Sequence, residues 1–112
     1  MYASCVGDVD GHRTLNESSV ARAVAERACG KDEVLMVDSS YGLGYMLGNS
    51  FGAANPRTAF GHGGAGGSLS FADPATGLAF AYVMNDLRFD MSGDPRSEEL
   101  VRAAYRALDA GS

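Results

Sequence analysis

The sequence predicts an α+β fold: an antiparallel sheet with one helix before it and one after it. Three observations carry this. From Glu17 onward, Val20, Ala21, Val24, Ala25 and Ala28 fall on one helical stripe. Two apolar runs, Ser68 to Ala72 and Leu78 to Asn85, flank Asp73-Pro74-Ala75-Thr76-Gly77 and read as a hairpin. Beyond Asp94-Pro95, Leu100, Val101, Ala104, Tyr105 and Leu108 recur at helical spacing. A helix, then strands joined by turns, then a helix is an α+β order rather than a series of βαβ units.

Each element has a local reason. Asp8-Val9-Asp10-Gly11 is a turn, since Asp-Gly suits a tight reversal. Asn16 is an N-cap, the helix runs from Glu17 to Cys29, and Gly30 terminates it. Lys31-Asp32-Glu33 is a charged loop. Tyr41 to Leu47 alternates apolar residues with glycine and is expected as a strand. Gly48 to Pro56 is a loop, because Pro56 stops any helix there. Arg57 to His62 forms the next strand. In the second arm of the hairpin, Leu78, Phe80, Tyr82 and Met84 make a large apolar face, and Ala79, Ala81 and Val83 a small one. Apolar character on both faces predicts a central strand covered by helices. Asp94 caps the last helix and Pro95 is its first residue.

Composition narrows the function. The 112 residues suffice for one core, burying about two-thirds of the surface an unfolded chain exposes. A net charge of -5 argues against nucleic acid or an anionic membrane as the main partner. No apolar stretch approaches the length of a membrane span. The start, Met1 to Cys5, carries no basic region and no long apolar run, so no signal peptide is visible and a cytoplasmic location is expected. Cys5 and Cys29 read as two free thiols, Cys29 on the helix. His12 and His62 stand fifty residues apart without a Cys-x-x-Cys, so neither a metal nor a cofactor is expected, and His12 reads as exposed.

The densest signal is Gly61-His62-Gly63-Gly64-Ala65-Gly66-Gly67-Ser68, with five glycines in eight residues and one imidazole. Strand-like segments follow at once, so the run sits at a strand end. Glycine there permits positive φ or close approach of the backbone to a ligand. Gly61 to Gly66 also matches G-x-G-x-x-G, but a pyrophosphate site needs a helix directly after the loop. Gly48-Asn49-Ser50-Phe51-Gly52 matches the nucleophile elbow G-x-S-x-G, but Pro56 blocks the helix that the elbow requires, and Ser50 reads as a loop serine.

At this point the chain resembles the serine β-lactamase-like superfamily: class C β-lactamases, penicillin-binding proteins and related carboxylesterases. Phe60 to Ser68, then Phe71-Ala72-Asp73-Pro74 and Ala81-Tyr82-Val83-Met84-Asn85, resemble the last three strands of that fold. Tyr41-Gly42-Leu43-Gly44-Tyr45 resembles the strand before them, and Asp10-Gly11 through Asn16 with its helix a segment further upstream. The resemblance implies that residues 1–112 are a single partial domain, the C-terminal part of a β-lactamase/transpeptidase-like fold. His62, Gly63 and Gly64 fall where the family carries Lys-Thr-Gly. The resemblance implies catalytic roles for His62 and for the Ala65 backbone N–H as an oxyanion donor, and substrate contacts for Gly63, Gly64, Gly66 and Asn85. Histidine in place of the lysine points to an esterase-like member.

The family's Ser-x-x-Lys is absent, since Lys31 is the only lysine and Ala28 stands three before it. Tyr-x-Asn and Ser-x-Asn are absent as well. The expectation is therefore the C-terminal segment of a hydrolase acting on a small-molecule ester or amide, inactive by itself. It would need an N-terminal partner segment or self-associate through exposed apolar surface. The alternative is a non-catalytic remnant acting as a small binding or assembly module.

Overall fold

The computed structural model describes residues 1–90 and 93–111, with Asn49 described through its backbone alone. The elements run α1 (Ala3–Val6), α2 (Glu17–Val24), β1 (Ala28–Lys31), β2 (Asp38–Tyr41), β3 (Met46–Leu47), a 3-10 turn (Gly48–Phe51), β4 (Phe60–Gly63), β5 (Leu69–Asp73), β6 (Leu78–Tyr82) and α3 (Pro95–Ala110). The strands form one antiparallel sheet in the order β1-β2-β3-β4-β5-β6. The α+β antiparallel architecture read from the sequence is the one observed.

Alternation along β5 divides the core. Ala72 lies opposite Phe60 of β4, and both join Cys5 and Val20 in a cluster under α1 and α2. Leu69 and Phe71 point the other way and join Ala59 and Val101 under α3. Phe60 and Phe71 are almost wholly buried, each contributing about 1.5–3 kcal/mol. Phe71 also stacks on Phe80 with ring centroids 5.4 Å apart.

Several expected boundaries hold for the expected reasons. The Asn16 side chain accepts from Ser19 N–H at 2.8 Å. The Asp94 carboxylate accepts from Arg96 N–H at 2.9 Å, with Pro95 opening α3. Val9 and His12 bridge across a turn in which Asp10 and Gly11 both have positive φ. His12 is exposed.

Other boundaries move. The helix expected over Glu17 to Cys29 stops at Val24, and Ala25 is extended. The freed Ala23 carbonyl is taken by Leu43 N–H at 2.8 Å, and Gly42 packs so closely there that a side chain would strike Ala23 O. A distant loop thus closes the helix, and Ala28 to Lys31 pair with β2 instead. Cys29 is therefore an exposed strand thiol rather than a helical one, and Gly30 is a strand residue at φ 135°. Tyr41 to Leu47 is a reversal between β2 and β3, not one strand. The strand expected from Arg57 begins at Phe60.

β6 is an edge strand among the described residues, not a central one. Leu78 and Phe80 pack toward α3, whereas Val83, just past the strand, is 83% exposed. On α3, Val101 is fully buried, but Leu100 and Leu108 of the same expected stripe are exposed.

Candidate active site

The glycine run is the end of β4 joined to a tight turn. Gly64 N–H donates to Ser68 O at 2.7 Å and Gly67 N–H to Gly64 O at 3.0 Å. Gly67 takes φ 110° and closes a three-residue hairpin loop made of Ala65, Gly66 and Gly67. A strand follows this loop, so the requirement of a dinucleotide site is not met. Ser50 lies in the 3-10 turn, where its Oγ donates to Leu47 O at 2.7 Å. It is not the serine of a strand-to-helix elbow.

Most of these glycines have a packing reason. A Cβ at Gly61 would lie 2.6 Å from the Phe71 Cβ, and one at Gly64 would overlap the Ser68 Oγ. A Cβ at Gly66 would lie 2.6 Å from Leu87 Cδ2, and one at Gly67 would meet the Asp94 carboxylate. Gly63 differs. Its nearest neighbour would be Phe51 O at 3.5 Å, an ordinary contact, so packing does not require glycine there.

A cleft of about 450 Å³ opens beside this loop, within the usual range for small-molecule sites. His62, Gly63, Gly64 and Ala65 form one wall. Apolar side chains including Leu35, Val37, Phe51 and Phe89 form another, and Asp94, Ser97 and Glu98 at the start of α3 a third. The β3 ladder leaves β4 at Gly61, while the β5 ladder continues to Gly63. The end of β4 therefore has a neighbouring strand on one side only. Ala65 is exposed here, and its N–H makes no hydrogen bond among the described residues. A backbone N–H that points into a cleft can receive a developing negative charge on oxygen.

His62 is exposed, and its Nδ1 lies 2.5 Å from Gly63 O. A carbonyl only accepts, so Nδ1 carries the proton and donates. Four of the expected site residues, His62, Gly63, Gly64 and Ala65, are thus together at the cleft. Gly66 and Asn85 are not among its lining residues. Gly66 faces Leu87, and Asn85 is exposed beyond the end of β6. Among the described residues no group of three His, Cys, Asp or Glu could hold a metal ion.

Two features escaped the sequence reading. Asn55 borders the cleft, is 5% exposed, and neither polar atom of its side chain has a partner among the described residues. Its only sequence signal was an Asn-Pro turn. The second is Arg96, whose guanidinium grips the Asp94 carboxylate at 2.6 Å. That hydrogen-bonded guanidinium draws the Asp94 carboxyl down to about 2.

A strand end, a tight glycine turn and an imidazole meet in one cleft. The Beta-lactamase family model matches residues 2–104, and the chain belongs to that family. It is 38% identical over 82 residues to the esterase/beta-lactamase LipL of Mycobacterium tuberculosis, which covers 72% of this chain and 18% of that protein. Among solved structures it is similar to a penicillin-binding protein homolog from Caulobacter crescentus, with TM-score 0.83 and 41% identity over 94% of this chain and 29% of that one. A family VIII carboxylesterase matches with TM-score 0.81 and 34% identity over 93% of this chain and 28% of that one. EstA from Arthrobacter nitroguajacolicus matches with TM-score 0.76 and 28% identity over 98% and 30%. The chain therefore spans less than a third of each of these relatives, and its relationship is to serine hydrolases of the esterase and β-lactamase type. Among the described residues no helix is long and apolar enough to cross a membrane.

Proposed function

We propose that residues 1–112 are part of one hydrolase domain and form the C-terminal segment of a serine hydrolase that cleaves small-molecule esters through an acyl-serine intermediate. The observation that carries this is the Ala65 N–H at the cleft, which has no partner among the described residues. It supports a role as oxyanion donor, placed beside a glycine whose missing side chain packing does not explain. With the His62 Nδ1 turned to Gly63 O, Nε2 is the ring nitrogen that suits hydrogen bonding to the substrate or to a hydroxyl in the reacting network. Histidine where the wider family carries a cationic lysine favours an ester over a β-lactam, whose carboxylate calls for a fixed positive charge. Without Ser-x-x-Lys, this chain has no nucleophile of the family type.

The test uses p-nitrophenyl esters and nitrocefin on the complete hydrolase and on this chain alone. The complete protein is expected to turn over the ester in preference to nitrocefin. His62→Ala is expected to cost it about a hundredfold in kcat/KM. The isolated chain should show no turnover and no fluorophosphonate labelling. Wild-type kcat/KM in His62→Ala, or labelling of the isolated chain that Ser50→Ala removes, would overturn the assignment.

A further inference from the structure

The turn that presents Ala65 has little of its own to hold it. Two backbone hydrogen bonds close it, and two of its three residues are glycine, whose backbone is the most costly to order. Its outer side is seated on another part of the chain. Arg88 N–H donates to Gly66 O at 3.0 Å. Leu87 fills the space beside Gly66, and the Asp94 carboxylate fills the space beside Gly67, with Arg96 Nη2 next to it. Asp94 and Arg96 hold each other through Nε to Oδ1 at 3.0 Å and Nη2 to Oδ2 at 2.6 Å. The remaining nitrogen, Nη1, donates to the Asp86 carbonyl at 2.8 Å. One guanidinium thus ties the start of α3 to the strap 86–88, and the glycine turn rests against both.

We propose that Arg96, acting with Asp94, is a positioning residue for the reaction, holding the Ala65–Gly67 turn and with it the direction of the Ala65 N–H. The inference rests on the oxyanion role given to Ala65 above. An oxyanion donor contributes only when its direction is set before the charge develops. A turn of glycines does not set that direction by itself. The planar fork of arginine can serve a carboxylate and a backbone carbonyl at once, which a single ammonium group does not reproduce. Truncating Arg96 leaves the helix cap in place, because the cap bond comes from the Arg96 backbone N–H.

The experiment has two arms. In the complete hydrolase, amide hydrogen exchange is measured at Gly67, whose N–H closes the turn, and at Phe71 in the sheet. Arg96→Ala should speed exchange at Gly67 by about tenfold or more and leave Phe71 unchanged. An unchanged rate at Gly67, or equal acceleration at both, overturns a local brace. In the complete hydrolase, Arg96→Ala should lower kcat on p-nitrophenyl acetate by about ten- to a hundredfold with KM within about twofold, because the interaction lost is made in the transition state. Arg96→Lys should recover only part of that loss. An unchanged kcat in Arg96→Ala overturns the proposal. Ala65→Pro separates the two ideas, since it deletes the N–H at a turn position that proline favours. Full kcat in Ala65→Pro ends the oxyanion reading and the positioning role with it. Loss of activity there, with wild-type kcat in Arg96→Ala, ends the positioning role alone.

Discussion

The Tyr105 hydroxyl donates to the Asp73 carboxylate at 2.9 Å and so ties α3 to the turn between β5 and β6. Asp73 is 1% exposed and also accepts from Ala75 N–H at 3.1 Å and Thr76 Oγ1 at 2.9 Å. Its charge is held by three donors, one of them from a helix 32 residues away. Burial and the Asp73 carboxylate together push the Tyr105 hydroxyl to a higher pKa, so it stays a donor at any ordinary pH.

Tyr105→Phe should therefore destabilise the chain by about 1–2 kcal/mol, because it leaves a buried carboxylate short of one donor. Urea unfolding of the two proteins, compared at equal m-value, measures it. A midpoint equal to wild type would show that Thr76 and Ala75 suffice.

The Asp94–Arg96 pair should make the fold acid-sensitive in one window. The folded Asp94 carboxyl sits at about 2, against an ordinary 3.8, because Arg96 bonds its charged form. The stability this adds is complete above about pH 4 and is lost as pH falls toward 2. Thermal melts of wild type and Asp94→Asn between pH 2 and 6 should differ most at the upper end and converge at the lower. Parallel curves would contradict the linkage.

Glycines of the run should respond differently to the same substitution. Gly61→Ala forces a Cβ against Phe71 and the Ser70 carbonyl, so β4 and β5 cannot keep their spacing. Loss of the cooperative transition is expected. Gly63→Ala meets only ordinary contacts and should leave stability within about 0.5 kcal/mol of wild type. In the complete hydrolase, the same Gly63→Ala should lower kcat/KM on the ester by about tenfold or more, because Gly63 lines the cleft and backbone crowding there displaces the substrate. Unfolding midpoints and ester kinetics on the two variants check both halves.

The two thiols should titrate as separate probes. Cys29 is exposed on β1 and Cys5 is buried between α2 and the sheet. Ellman's reagent should modify one thiol at once in the native chain and the second only with unfolding. Prompt reaction of both would show that α1 does not stay docked.

Read from residue types alone, the hairpin around Asp73 to Gly77 and the start of α3 were clear. Their signals are local: alternation, a turn sequence, and Asp-Pro at a helix start. The glycine run was visible as a strand end joined to a tight turn for the same reason. The end of α2 was not visible. Its stripe continues to Ala28, and only the arrival of Leu43 at the Ala23 carbonyl stops it. Which glycines the packing demands was equally hidden, since Phe71, Leu87 and Asp94 reach them from other elements.

By itself the sequence determined the α+β class, the two helix caps, the β5–β6 hairpin and the cluster His62 to Ala65, all through interactions between residues near one another in the chain. Tertiary structure alone decided that Cys29 lies on a strand, that β6 is an edge and that Asn85 stands outside the cleft. It also decided that Asp94 and Arg96 lie against the turn that carries Ala65. The reason is physical. Caps, turns and periodicity are set by bonds spanning a few residues, whereas strand order, edge exposure and close approach depend on where distant backbones meet, and no short stretch of sequence encodes that meeting.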